Sequence, residues 1–113
     1  MSESKPNSDF RSRRVDTLPA GLRELFHRAA LERVRLIESA AVALRVGTLD
    51  RETRALAERA AHKVADAAKM FGYWDATQLA REAQAAFDGT GPIAPNVIVR
   101  LLEIATELRH QFS

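Results

Sequence analysis

The residue with the clearest chemical potential in this sequence is His62, one of three histidines in a chain of 113 residues that has no cysteine. Its imidazole can act as a nitrogen nucleophile near neutral pH, where lysine side chains are protonated. Asp66 follows four positions later, and Lys63 and Lys69 lie close by. On a helix, a carboxylate at i+4 lies beside the ring, and lysines can balance the charge of a phosphoryl group. The spacing therefore favours nucleophilic chemistry at His62.

Helical periodicity predicts that His62 is exposed. At 100° per residue, the half of the helix opposite His62 is apolar and is expected to form the core face, with Thr53, Leu56, Ala57, Ala60, Val64, Ala67, Ala68 and Phe71. The His62 side carries the expected partner-docking residues Ala55, Glu58, Arg59, Ala65 and Asp66, together with Lys69. Among these, Ala65 is expected to keep the surface beside the ring low, so that a partner can approach.

Gln84 is the candidate for orienting the ring from the following helix. The two helices are expected to meet at a turn near Tyr73, and His62 and Gln84 each lie 11 residues from that point. Antiparallel packing would then bring them level. An amide there can hydrogen-bond one ring nitrogen, fix the tautomer and leave the other nitrogen as the nucleophile.

The elements that must hold these residues are helices. The chain contains 20 alanines but only seven valines and four isoleucines, a composition that favours helix over strand. The sequence predicts a short helix from Pro19 and a second helix that ends at Gly47. A third helix is predicted from Thr48 or Asp50 to about Phe71, and a fourth from Asp75, which forms a capping box with Gln78. The last predicted helix begins at Pro95. The short connections predict an all-α fold over residues 19–113, an antiparallel up-down four-helix bundle with a short N-terminal helix leading into it.

Residues 1–18 are predicted to form a disordered tail, because they are polar and lack periodicity. The sequence pI is about 9.5, but the net charge is only +2 and the densest basic cluster, Arg11, Arg13 and Arg14, lies in this tail. We therefore expect no nucleic-acid partner. No apolar run is long enough for a membrane span or a signal peptide, so a cytoplasmic location is expected. The absence of cysteine excludes disulfides, thiolate metal sites and a cysteine nucleophile.

The run from Ala61 to Tyr73, AHKVADAAKMFGY, followed by LARE at 79–82, resembles the signature of histidine-containing phosphotransfer (HPt) domains. That family has an exposed histidine on a helix, a glycine ten residues later at a hairpin, and a glutamine or glutamate on the next helix. Gly72 lies ten residues after His62, and the likeness in length and helix order extends from about residue 19 to 112. The resemblance implies that His62 carries a phosphoryl group, that Gln84 orients the imidazole, and that Lys63 and Lys69 give electrostatic support.

The same motif departs from the family pattern beside His62. The family usually has glycine four residues after the histidine and often serine next, whereas Asp66 and Ala67 stand here; Ala65 replaces a frequent lysine. The Asp66 carboxylate can favour a hydrogen-bonded imidazole and can repel a phosphoryl group, each by about 1 kcal/mol. Two functions stay open: a phosphorelay carrier, and a degenerate module that binds a receiver or another signalling partner without transfer.

The resemblance also implies the partners, which are response-regulator receiver domains and, through them, a sensor histidine kinase in a bacterial two-component system. No cofactor is expected on this chain, since Mg²⁺ would be bound by the receiver. The sequence has no P-loop or nucleotide-binding glycine loop, so no ATP-dependent kinase activity is expected. A metal site or hydrolytic centre is disfavoured, because His62 and Asp66 supply two ligands while His27 and His110 have no matching spacing.

Overall fold

The structure, a computed structural model, describes residues 19–113, which fold into four α-helices joined by short connections. They are α1 (Ala20–Val46), α2 (Arg51–Met70), α3 (Trp74–Phe87) and α4 (Pro95–Phe112). The predicted all-α four-helix bundle is confirmed. The prediction of a separate short helix at the start is wrong, because residues 20–29 continue without a break into the rest of α1. The tail predicted for residues 1–18 lies outside the described residues.

The four helices pack in chain order around one core, with α1 against α2 and α4, and α3 against the same two helices. Neighbouring helices run antiparallel because the connections are too short for crossovers. The largest fully buried side chains are Phe87, Phe112, Ile37, Leu101, Ile104 and Leu108. In residues 19–113, no helix combines the length and the apolar character needed to cross a bilayer.

Turn chemistry sets the connection from α1 to α2. Gly47 has φ 79°, a left-handed conformation that favours glycine, and the amide of Thr48 donates to the carbonyl of Ala43 at 2.8 Å. Asp50 then caps α2, since its Oδ1 accepts from the amide of Thr53 at 2.7 Å. This hydrogen bond holds the pKa of the Asp50 carboxyl below its usual value. Asp50 is thus the cap among the two predicted candidates.

The hairpin between α2 and α3 is placed slightly earlier than the sequence predicts. Helix α3 begins at Trp74, with Tyr73 as its N-terminal cap residue, so the capping box expected at Asp75 is not formed. Instead, the carbonyl of Tyr73 accepts from the hydroxyl of Thr77 at 2.7 Å. Gly72 has φ 85° and lies midway between the end of α2 and the start of α3. The centre of the hairpin is therefore Gly72.

The buried face of α2 is rotated from its predicted position. It consists of Ala57, Ala60, Ala61, Val64, Ala65 and Ala68. The prediction that Ala65 lies on the exposed side is wrong, because it is only 2% exposed. The physical reason is that α2 makes its most extensive contact with α3, which covers this side of the helix. Conversely, Leu56, expected in the core, is 43% exposed.

A side chain of α2 holds the connection between α3 and α4. The guanidinium group of Arg54 donates to the carbonyl oxygens of Phe87 at 2.8 Å, Asp88 at 3.0 Å and Gly91 at 2.6 Å. The carbonyls at a helix C-terminus have no partner within the helix, and Arg54 supplies one from a neighbouring element. This residue therefore ties α2, the end of α3 and the following loop together.

Five rings close the end of the bundle at the α2–α3 hairpin: Phe26, His27, Phe71, Tyr73 and Phe112. The His27 Nε2 atom lies 2.9 Å from the Tyr73 hydroxyl, within hydrogen-bond distance. Burial lowers the pKa of His27, and the positive charge of Arg23 acts in the same direction. This histidine is therefore part of the packing between α1, the hairpin and the end of α4.

Candidate functional site

His62 projects from the middle of α2, and its side chain is 56% exposed. The exposure predicted from periodicity is confirmed. Ala61, Val64 and Ala65 on the same helix are buried, and they fix the rotation of α2 about its axis. The imidazole is thus held at a defined place on the surface of the bundle by alanine and valine packing behind it.

Asp66 contacts the ring directly. Its Oδ2 atom lies 3.1 Å from Nε2 of His62, across one helical turn, and the Asp66 side chain is 67% exposed. A carboxylate in its ionised form only accepts hydrogen bonds, so Nε2 must carry the proton whenever this contact forms. In this arrangement the Nε2 lone pair is not free to attack an electrophile.

Gln84 reaches α2 at a different residue from the one expected. Its Nε2 donates to Oε2 of Glu58 at 3.1 Å, whereas the sequence prediction placed the hydrogen bond on the imidazole of His62. Because the hairpin centre is Gly72, Gln84 lies level with Ala60 and not with His62. Glu58 lies one helical turn before His62, so the amide remains beside the site. The role of Gln84 in orienting the imidazole stays a prediction.

The other predicted site residues divide by exposure. Arg59, Lys63 and Lys69 are exposed, whereas Ala55 and Glu58 are partly buried. Three cationic side chains therefore project from the same helix as His62 into solvent. At such wet positions each charge contributes on the order of 0.2–1 kcal/mol toward a nearby anion. The roles predicted for these residues in electrostatic support and docking stay predictions. Ala65 alone among the predicted docking residues is buried in the core.

The remaining histidines are placed differently from His62. His27 is engaged with Tyr73 in the aromatic cluster, and His110 is exposed near the end of α4. Within residues 19–113, no three histidine, cysteine or acidic side chains are grouped closely enough to hold a metal ion. The only imidazole in the described chain that combines a mid-helix position, exposure and a carboxylate contact is that of His62.

Two contacts between helices were not found from the sequence. The first is the hydrogen bond between Gln84 and Glu58, which needs the register of α3 on α2. The second is the pair formed by Arg100 on α4 and Glu82 on α3, with hydrogen bonds of 2.7 and 2.9 Å. This pair holds the pKa of Glu82 below its usual value. Both contacts join different helices, and periodicity within one helix carries no signal of them.

A small antiparallel four-helix bundle that presents an accessible imidazole from the middle of one helix has the architecture of a histidine phosphotransfer domain. Comparison with known protein families agrees with this class, since the family described as "Hpt domain" matches residues 21–111. The chain therefore belongs to the Hpt domain family, whose members act in histidine phosphotransfer within phosphorelays and interact there with receiver domains and kinases. Comparisons with curated proteins and with solved structures gave no match.

Proposed function

We propose that this protein is a phosphorelay carrier in which His62 accepts a phosphoryl group from the aspartate of one receiver domain and donates it to another. The observation that carries the proposal is the exposed imidazole at the centre of α2, in a chain that matches the Hpt domain over residues 21–111. A sensor histidine kinase stands upstream, because this chain supplies the acceptor histidine and not the ATP chemistry.

The transfer is a displacement at phosphorus. The lone pair of an imidazole nitrogen attacks the phosphorus of an aspartyl phosphate, and the bond from phosphorus to the carboxylate oxygen breaks. The aspartate leaves with the bonding electron pair, and the imidazole becomes a phosphorylated cation that keeps the proton on its other nitrogen. The reverse displacement passes the group on. Mg²⁺ is held by the receiver, so no metal is needed on this chain.

The residues around His62 then have separate roles. Lys63 and Lys69 offset the negative charge of the phosphoryl group, and Gln84 orients the ring. The receiver docks on the surface formed by Ala55, Glu58, Arg59 and Asp66. Asp66 lowers the rate, since its carboxylate occupies Nε2 in the resting chain and repels an incoming phosphoryl group.

Phosphotransfer from a radiolabelled receiver tests the proposal. The wild-type chain is incubated with a receiver domain phosphorylated on its aspartate, and the label on the chain is expected to be acid-labile and alkali-stable. His62→Gln should remove the label, and His110→Gln, an exposed histidine on α4, should retain it. Label that persists in His62→Gln would contradict the assignment.

The contact between Asp66 and Nε2 favours a second candidate, a degenerate module that binds a receiver or another signalling partner without transfer. The same experiment separates the two functions. A receiver that binds the chain equally well with or without the His62 imidazole, and that leaves no label on the wild-type protein, would support the second candidate.

A further inference from the structure

The hydrogen bond between Glu58 and Gln84 bears on the chemistry at His62, and the inference drawn from it rests on the proposed function. Gln84 lies on α3 and donates from its NH₂ group to Oε2 of Glu58 at 3.1 Å, in a partly buried position. Nothing in the docking role predicted for Glu58 uses this contact. In a partly buried pair between two helices, the orientation of the amide is more restricted than in a glutamine that is exposed to solvent.

The helix register places Gln84 between two residues of α2. With the hairpin centred on Gly72, Gln84 is level with Ala60, which is two residues from Glu58 and two from His62. At 1.5 Å per residue, each of them lies about 3 Å away along the axis, in opposite directions. A glutamine side chain at this level is therefore within reach of both residues along the helix axis, and in the structure its side-chain hydrogen bond is to Glu58.

The chemistry of the carboxylate decides which end faces which residue. An ionised carboxylate only accepts hydrogen bonds, so the amide end that contacts Glu58 must be the NH₂ group. The carbonyl oxygen is then the end of the amide that remains available to accept a hydrogen bond from the ring of His62. We infer that Glu58 is a positioning residue, which fixes the orientation of the Gln84 amide so that Oε1 accepts the proton on Nδ1 of His62.

This orientation matters because phosphoryl acceptance makes the imidazole cationic. An acceptor on Nδ1 holds the proton there, leaves the lone pair on Nε2 and stabilises the positive charge that develops as Nε2 attacks. The flipped amide would present its NH₂ group to the ring and would favour the opposite tautomer. Glu58 thus acts on the reaction through Gln84, without contact with the phosphoryl group.

The first test is the tautomer of His62 in the unphosphorylated chain. Glu58→Gln removes the acceptor-only partner, so the Gln84 amide can flip. Nitrogen NMR of isotopically labelled protein at mildly alkaline pH is expected to show the Nδ1–H population of His62 falling by about two- to tenfold relative to the Nε2–H population, the range of one hydrogen bond. Glu107→Gln on α4 makes the same charge change at an exposed position and is expected to leave the tautomers unchanged.

The second test is rescue at Gln84. A carboxylate presents only acceptors in either orientation, so Gln84→Glu should make the site independent of Glu58. With phosphoramidate as donor, Glu58→Gln is expected to slow phosphorylation of His62 by about two- to tenfold, and the double variant Glu58→Gln/Gln84→Glu should recover the wild-type rate. A merely structural role for Glu58 would not be restored in this way.

The two readouts keep this inference separate from the proposed function. If Glu58→Gln leaves the His62 tautomers unchanged, the positioning role is wrong, whatever the protein does with phosphate. If the tautomers shift as expected but wild-type His62 takes no label from phosphoramidate or a receiver, the positioning role holds and the carrier function is wrong.

Discussion

At His62, the observed contact of Asp66 and the positioning role inferred for Glu58 favour opposite tautomers of the imidazole. Asp66 accepts directly from Nε2 at 3.1 Å, which favours the proton on that nitrogen. Glu58 donates nothing to the ring itself but accepts from the amide of Gln84, and in the positioning role inferred for it this favours the proton on Nδ1 and leaves Nε2 as the nucleophile. In the neutral ring these preferences compete, because the ring carries one proton. The reactivity of this histidine therefore depends on the balance between its own helix and the neighbouring one.

Replacing Asp66 tests one side of this balance. Asp66→Ala removes the carboxylate that occupies Nε2 and repels phosphate, while alanine preserves the helix. Because the pair is well exposed, the gain is modest, and we expect the initial rate of labelling from a phosphorylated receiver to rise about two- to fivefold. Asp75→Ala, an exposed aspartate on α3, serves as the control for net charge and should not change the rate. A rate for Asp66→Ala at or below that of the wild type would show that Asp66 is not inhibitory.

At the level of single residues, the sequence predicted the features that one helix determines and missed those that depend on the packing of two helices. The exposure of His62 follows from the apolar positions of α2 alone. Ala65 lies only 60° from His62 around the helix at 100° per residue, so periodicity assigned it to the surface. It is buried because α3 packs against that side. The partner of Gln84 was missed for the same reason, since it depends on where the hairpin is centred.

At the scale of elements, local turn chemistry was the most reliable guide. Gly47, Asp50 and Pro95 each mark an observed helix end, because left-handed backbone, side-chain capping and a fixed φ act within a few residues. The predicted boundary between the short first helix and the second helix had no such signal, and α1 is continuous from Ala20 to Val46. Asp75 did carry a capping pattern, yet α3 begins earlier at Trp74. Packing of the Tyr73 ring against α1 and α4 at the hairpin accompanies this shift.

Arg54 provides the element-scale prediction. Its three hydrogen bonds to carbonyl oxygens hold the connection between α3 and α4 against α2. We expect Arg54→Ala to lower the free energy of unfolding by about 1–3 kcal/mol in urea denaturation, since several backbone acceptors lose their partner. Arg54→Lys keeps the charge but cannot reproduce the planar guanidinium group. Its free energy of unfolding should therefore lie between those of the wild type and Arg54→Ala.

The matched control is Arg51→Ala, an exposed arginine at the first position of the same helix. It should change the unfolding free energy by much less than Arg54→Ala. Equal effects of the two variants would mean that the net charge of α2, and not the contacts to the loop, determines the stability.

For the whole molecule, the site occupies the middle of the bundle while separate contacts close its two ends. His62 is eight residues before the last residue of α2, which places it about 12 Å along the axis from the hairpin. The Arg54 contacts lie at one end and the aromatic cluster around His27 at the other. The cluster joins residues from α1, the hairpin and α4, so it reports on the packing of the complete fold.

Titration of His27 should couple the stability of this fold to pH. Burial holds its pKa in the folded chain below the ordinary 6.5, which the unfolded chain retains. Well above pH 6.5 the ring is neutral in both states, and the contribution of His27 to stability is fully present. As the pH falls below that value, the unfolded chain binds the proton first, so the free energy of unfolding decreases until the folded-state pKa is passed.

The prediction is a difference between variants, because carboxylates also titrate in acid. Measured by urea denaturation at about pH 7.5 and about pH 5.5, His27→Gln should lose less stability on acidification than the wild type, since its side chain cannot take up a proton there. His110→Gln, an exposed histidine outside the cluster, should lose as much as the wild type. An equal loss in His27→Gln and the wild type would show that the imidazole at the end of the bundle is not what makes the folded state sensitive to acid.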